Sequence, residues 1–214
     1  MSKIQSRKWE DLNDYKASLK LTQEQREILT GGLLGDLSLR KIGKFSRLVV
    51  EQKNYEYLFH LYDVFKVYVR TPPKERLQQR LSTSEIKSTW YFSTISHSDF
   101  EEFYTYFYPC SKKRLPDSLQ QLLTPRSIAY WYMDDGCFKN PTFSLSTANF
   151  TLEEHKLLQS IFYNNWGIDT SIHGLGSTRG YLSLYIPVSS SKKFLDLVQP
   201  YIVPSMLYKL GETC

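Results

Sequence analysis

The sequence predicts an α+β fold made of one αββαββα unit used twice. Three observations predict it. Helix-start signals are each followed by a pair of short alternating β segments. The order of those segments in the first half of the chain recurs in the second. Matching positions also recur at a similar offset: Asp36 and Asp135 lie 99 residues apart, and Asn54 and Asn149 lie 95 apart. Self-similarity at a fixed period is the signature of a duplicated unit. The expected divisions are a polar arm over 1–20, a first unit with its connector over 21–120, and a second unit over 121–214. The connector, YPCSKKRLPDSLQQLL at 108–123, is short. The halves are therefore expected to pack about a pseudo-twofold axis, not to hang as independent domains.

The arm is polar and charged, and is expected to be exposed or loosely docked. The first helix starts at Thr22, whose spacing to Gln25 fits a capping box, each side chain satisfying the other's orphan backbone N–H. It carries Ile28, Leu29, Leu33 and Leu34 at helical spacing and should end near Asp36 or Leu37. A hairpin follows, with 36–41 and 47–51 flanking Ile42-Gly43-Lys44. Asn54 is expected to cap a helix with Tyr57, Leu58, Leu61, Tyr62 and Phe65 on one face, stopped by Pro72-Pro73. Residues 76–96 read as β, and Ser98-Asp99 opens a helix over 100–107. In the second half, Thr124-Pro125 is an N-cap followed by a favoured first-turn proline, and that helix ends at Asp135-Gly136. A hairpin turns near Asn140-Pro141. Asn149 or Thr151 caps a helix that Gly167 terminates. A hairpin over 168–187 and a last helix over 192–198 complete the repeat.

Composition narrows the function classes. A chain of 214 residues, 41% hydrophobic and 23% charged, can bury a core without disulfide or metal staples, and is not wholesale disordered. No apolar run approaches the ~18 residues of a membrane span, so no membrane partner is expected. The N-terminus lacks an apolar h-region, so no secretory signal is expected. Cys110, Cys137 and Cys214 are odd in number and far apart, which suits a reducing, intracellular setting and gives no structural zinc pattern. No nucleotide-binding glycine loop and no nucleophile–His–acid set is evident, and the four histidines lack metal-ligand spacing. The net charge of +5 permits nucleic-acid binding without demanding it. It is unevenly placed: +2 over 1–20, +3 over 21–120 and zero over 121–214.

The chemistry is carried by paired aspartates. Asp36 closes LTGGLLGD and Asp135 closes IAYWYMDD, each at the C-terminal end of its unit's first helix. A carboxylate there opposes the helix macrodipole by roughly 0.3–1 kcal/mol. Two at matching positions suggest that a positive group sits between them. Two facing carboxylates with hard oxygens suit a divalent metal, Mg2+ or Ca2+ in kind. Gly31, Gly32 and Gly35 each cost a helix about 0.5–1 kcal/mol relative to Ala, which makes sense where another backbone comes close. Tyr130, Trp131 and Tyr132 are expected to answer with bulk from the second helix. Each unit also carries a lysine at nearly equal separation from its aspartate: Lys113 is 77 residues after Asp36, and Lys209 is 74 after Asp135.

The two motifs, LTGGLLGDL at 29–37 and IAYWYMDDG at 128–136, resemble the paired LAGLIDADG motifs of homing endonucleases. The first matches the consensus well; the second is looser but keeps the final Asp-Gly. The wider segments LTPRSIAYWYMDDG and PYIVPSMLYKL resemble the single-chain, two-motif branch typified by a yeast mitochondrial intron endonuclease, and the likeness covers roughly residues 21–210. It implies a LAGLIDADG fold with two antiparallel DNA-binding β-saddles, and a monomer that cuts both strands of a long asymmetric duplex across the minor groove, leaving short 3′ overhangs. It assigns metal binding to Asp36 and Asp135 with the backbone of Gly35 and Asp134, the Asp134 side chain not replacing Asp135. It implies Mg2+ as cofactor, with Mn2+ or Ca2+ able to substitute for binding. Lys113 and Lys209 become the catalytic lysines, and Glu51 and Ser146 flank the two sites. The DNA-contacting set of the first saddle is Arg40, Lys41, Lys44, Arg47, Lys53, Arg70, Lys74, Arg76, Arg80 and Lys87. The second saddle offers Lys139, Asn140, Ser144 and Arg179, with Thr170, Ser171, His173 and Ser177 as neutral groups. An organellar intron gene is the implied origin. The rival reading is an RNA-binding maturase on the same fold, with host intron RNA as partner. A DNA-binding regulator is a third, against which the retention of both acidic residues speaks.

Overall fold

The computed structural model describes residues 9–79, 86–175 and 181–211. Within them the chain runs α1 (Trp9–Ser18), α2 (Gln23–Leu34), β1 (Ser38–Ile42), β2 (Phe45–Gln52), α3 (Tyr55–Phe65), β3 (Lys74–Gln79), β4 (Ile86–Ser93) and α4 (Ser98–Phe107). It continues through a short α5 (Leu119–Leu122), then α6 (Pro125–Asp135), β5 (Gly136–Lys139), β6 (Thr142–Ser146), α7 (Leu152–Trp166), β7 (Ser171–Leu175), β8 (Tyr181–Ile186) and α8 (Val188–Val198). The αββαββα order is thus present twice. Both sheets are antiparallel with four strands, in the orders β1-β2-β4-β3 and β5-β6-β8-β7.

The strand registers make the duplication residue by residue. Ser38 faces Val49 in the first hairpin and Cys137 faces Ser144 in the second; Val49 faces Ser93, and Ser144 faces Tyr185. Lys74 faces Tyr91 as His173 faces Ser183. The first hairpin is the longer: six residues separate the Arg40–Arg47 pair, and only Asn140 and Pro141 separate the equivalent Lys139–Thr142 pair.

Local chemistry sets the helix boundaries. Thr22 and Gln25 form the reciprocal capping box, as do Thr124 with Ser127 and Thr151 with Glu154. Thr151, rather than Asn149, is the cap of α7, and Gly167 ends it at φ 60°. Asn54 caps α3, but Pro72-Pro73 do not end it. The helix stops at Phe65 and tightens into a 3₁₀ turn, Lys66–Tyr68, which fully buries the Tyr68 ring; the prolines fall in the loop before β3. The arm expected over 1–20, exposed or loosely docked, is described from Trp9 onward and carries a helix there. Its α1 is docked on the first unit, with the Tyr15 hydroxyl donating to the Val67 carbonyl and His97 bonding the Lys16 carbonyl at 2.8 Å. Charge content hid this, because the anchoring comes from backbone oxygens and from Leu19 against the core.

One face of each sheet is covered by helices. Leu48, Val50 and Phe92 of the first sheet, and Phe143, Leu145, Leu184 and Ile186 of the second, point into a core that also buries Ile28, Leu29, Phe100, Phe103, Trp131 and Phe194. The alternate positions, among them Arg47, Glu51 and Tyr91, then Ser144 and Tyr185, face outward on the uncovered side. No helix of the described residues is long and apolar enough to cross a membrane.

Candidate active site between the paired helices

The site is made where α2 and α6 lie side by side. A Cβ placed on Gly31 would fall 2.0 Å from the Ser127 carbonyl oxygen, and one on Gly35 would fall 2.6 Å from Asp134 Cβ. These two glycines therefore let the helices approach. Gly32 does not share that role, since a Cβ there would meet Leu37 of its own unit. The aromatic bulk expected opposite the glycines is elsewhere. Tyr130 lies against Tyr57 and His60, Trp131 against Phe150, and Tyr132 against Phe143 and Phe194. What meets the glycines is the backbone of Ser127 and the side chain of Asp134.

The close approach brings the two helix ends together. Asp135 is the last residue of α6, whereas α2 ends at Leu34, so Asp36 sits just past the Gly35 cap and is exposed. The two aspartates share the wall of a cavity of about 100 Å3 with Gly35, Lys113 and Ser146. Burial pushes the Asp135 carboxyl up to about 6, and the nearby Asp36 carboxylate adds to the rise; Lys113, Lys209 and the Trp131 indole oppose it. Burial likewise lowers both lysines, against the pull of the surrounding carboxylates.

The two lysines occupy matching positions. Lys113 Nζ donates to the Gly35 carbonyl at 2.8 Å and reaches the Leu37 carbonyl at 3.5 Å. Lys209 Nζ donates at 3.0 Å to each of the Asp134 and Gly136 carbonyls. The backbone oxygens expected to serve a metal are thus the ones the lysines hold, each carbonyl keeping one further lone pair.

Asp134, expected to serve through its backbone oxygen alone, also ties the two halves together through its side chain. Its Oδ2 accepts the Asp36 backbone N–H at 3.2 Å, and its Oδ1 accepts Gln52 Nε2 at 2.9 Å. Desolvation between the helices holds its carboxyl well above the usual range, Asp36 raises it further, and the two donors pull it down. The buried Tyr57 hydroxyl nearby has no partner in good hydrogen-bond geometry among the described residues, and its ionisation is suppressed by burial first and then by Asp134. The 99-residue offset could have flagged Asp134, because it places a carboxylate opposite its own counterpart, Gly35. Nothing in the sequence distinguished Gln52.

The flanking and saddle residues divide. Glu51 is on the outer face, held by Arg76 at 2.9 Å and by Thr89 at 2.8 Å. Its counterpart Ser146 is exposed at the cavity. Arg40, Arg47, Lys74 and Arg76 share the outer face of the first sheet through the Arg40–Arg47 and Lys74–Tyr91 pairings, and Arg70 lies beside them. Lys44, Lys53 and Arg70 are exposed, and Lys87 is partly so. Lys41 does not join this surface. It points to the helix side, where it pairs with Glu101 of α4 and lies over the Tyr104 ring, because strand alternation gives it the face opposite to Arg40. Cys137, Lys139 and Asn140 are exposed on the second saddle, where Ser144 pairs with Cys137, His173 stacks on Tyr185 at 4.4 Å and Ser171 bonds His173. Thr170 turns inward, its hydroxyl buried and without a hydrogen-bond partner among the described residues. Arg80, Ser177 and Arg179 lie outside the described residues.

Among the described residues no three or more His, Cys, Asp and Glu side chains converge as a metal site. The donor set fits a hard cation of the Mg2+ type all the same, because such ions are often held by one or two carboxylates and complete their shell with water and substrate phosphates.

Residues 26–194 match the model of the LAGLIDADG DNA endonuclease family. A probable intron-encoded endonuclease of Wickerhamomyces canadensis is 35% identical over 212 residues, covering 93% of this chain and 89% of that protein. A cytochrome b mRNA maturase, bI2, of Debaryomyces hansenii is 37% identical over 200 residues, covering 90% of this chain and 75% of its own. Among solved structures, the homing endonuclease I-WcaI bound to its DNA recognition sequence superposes with a TM-score of 0.88 at 31% identity, over 95% of this chain and 93% of that one.

Proposed function

The chain belongs to the LAGLIDADG DNA endonuclease family, and from that premise we propose that it is an intron-encoded, site-specific endonuclease of the single-chain, two-motif branch. It works as a monomer, depends on Mg2+, and cuts both strands of a long asymmetric duplex across the minor groove, leaving short 3′ overhangs. One observation carries the reading: each unit delivers one aspartate and one lysine to the junction of α2 and α6, between two sheets whose outer faces are uncovered. One catalytic set per strand is what a double-strand cut requires.

Asp36 and Asp135 would hold the metal, with the free lone pairs of the Gly35 and Asp134 carbonyls. A bound divalent ion supplies charge for the attacking and leaving oxygens and lowers the pKa of a water. The chain's own groups do the rest. Lys113 and Lys209, partly desolvated and fixed by carbonyls, place a positive charge at each half of the site, where phosphate charge develops. Glu51 and Ser146 stand beside the two halves and differ in charge. The uncovered sheet faces offer antiparallel β-ribbons, a shape that the major groove admits. A reducing, organellar compartment and an intron location complete the proposal.

The test is substitution at the aspartates. Asp36→Asn and Asp135→Asn should each abolish double-strand cleavage of a target selected from a randomised library with Mg2+, while leaving duplex binding in place. Full cleavage by both single variants would sink the assignment. A second reading rests on the maturase relative: the protein also assists splicing of its host intron. Splicing that requires this protein, with no cut in intronless DNA, would make that reading the primary one.

A further inference from the structure

The sheets are alike in topology and unlike in charge, and the difference is concentrated in one place. A cleft of about 510 Å3 opens at the end of the first sheet that carries the β1–β2 turn. Arg47, Arg70 and Lys74 line it, joined by Lys16 from α1. Arg47 Nε is buried with no hydrogen-bond partner among the described residues, a donor left open to an acceptor from a ligand. None of these four basic residues forms an ion pair among those found in the described residues. The strand registers identify what the second unit has instead. Thr142 takes the place of Arg47 and His173 that of Lys74, and continuing the same offset puts Asp169 in the place of Arg70. The helix α1 precedes only the first unit, so Lys16 has no counterpart.

Four cations against a hydroxyl, an imidazole and a carboxylate is a large local contrast. Phosphate contacts made by Lys and Arg release counterions, with a slope in log K against log salt of about −0.9 for each phosphate neutralised on duplex DNA. We propose that this cleft is a phosphodiester-backbone anchor, so that the protein holds its duplex mainly by the half-target under the first unit. Contacts under the second unit are then the weaker set, the first to be lost as the complex loosens, and serve mainly to read and align. The inference rests on the endonuclease reading and adds which half of the substrate supplies the affinity.

The experiment grafts the second unit's chemistry onto the first. Arg47→Thr, Arg70→Asp and Lys74→His are combined in the full chain. Binding to the selected target is measured from 50 to 200 mM KCl, with hydroxyl-radical footprints of both strands. Wild type is expected to protect both halves at low salt and to keep only the half under the first unit at high salt. The variant should bind at least tenfold more weakly at 200 mM KCl, show a salt slope shallower by about two to three, and lose that high-salt protection. A reciprocal variant, Asp169→Arg with His173→Lys, alters exposed positions only and should extend high-salt protection into the other half. An unchanged slope in the first variant, or equal salt loss over both halves in wild type, overturns the anchor. Failure of wild type to bind or cut any duplex overturns the endonuclease reading instead.

Discussion

Lys113 and Lys209 make the same pair of hydrogen bonds one unit apart. Lys113 Nζ bonds the carbonyls of Gly35 and Leu37, and Lys209 Nζ bonds those of Asp134 and Gly136. Gly35 and Asp134 are repeat counterparts, and so are Leu37 and Gly136. Two ammonium groups, 96 residues apart in sequence, are therefore placed by equivalent backbone oxygens.

That equivalence predicts strand-selective damage. Lys113→Met should slow cleavage of one strand and Lys209→Met that of the other, each by about 10²–10³-fold, the usual cost of removing one positioned electrostatic donor. A supercoiled plasmid carrying the target should accumulate nicked circles with either variant, and sequencing the nicks should show opposite strands. Loss of the same strand from both variants would show that the lysines do not divide the work.

The stability of the metal-free protein should fall as pH rises. Asp135 has a folded-state pKa pushed up to about 6 from an ordinary 3.8, so between those values the folded state binds more protons than the unfolded one. Stability decreases with pH wherever that holds. Asp134 is raised as well and acts in the same sense. Thermal melts in EDTA between pH 4 and 7 should show Tm declining, Asp135→Asn should flatten the decline, and Mg2+ should restore Tm at neutral pH. A Tm that rises across this window in EDTA would contradict the desolvation of these carboxyls.

Gly31→Ala tests the helix interface. In an ordinary helix interior the change would stabilise by about 1 kcal/mol. Here the new methyl meets the Ser127 carbonyl oxygen, a backbone atom that cannot rotate away. Overpacking of this kind costs about 1–3 kcal/mol, so the sign should reverse. At about 2–4 °C per kcal/mol for a chain this size, Tm should drop by several degrees. An unchanged or raised Tm would mean that the helices separate without cost.

Adding Mg2+ should tighten the whole constellation. Replacing Mg2+ with Ca2+ is expected to preserve duplex binding while suppressing cleavage, readable by gel shift and nicking assay on the same samples. Cleavage that persists in EDTA would remove the metal from the proposal.

Much of the fold was legible because it rests on short-range chemistry. The Thr22–Gln25 box, the Asn54 cap and the Gly167 terminator are set by residues within three or four positions. The duplication was legible because Asp and Lys recur at like spacing. What escaped depends on contacts across the chain. The docking of α1 depends on the Val67 carbonyl and on His97, and the end of α3 on the burial of Tyr68. The glycines' partner could not be read either, since helical periodicity gives a face but not what will lie on it. Lys41 belongs with Glu101 on the helix side, a placement that a count of basic residues misses because it ignores strand alternation.

The unequal hairpins have a consequence for the substrate's geometry. Four extra residues in the β1–β2 turn region lengthen each of its strands by two. At ~3.3 Å per strand residue this adds about 7 Å of reach. Duplex DNA rises ~3.4 Å per base pair, so on the proposed endonuclease reading the first saddle would extend about two base pairs further from the cleavage point than the second. The sequence recognised under that reading would be off-centre: a ruler with unequal arms, whose midpoint is not where the strands are cut.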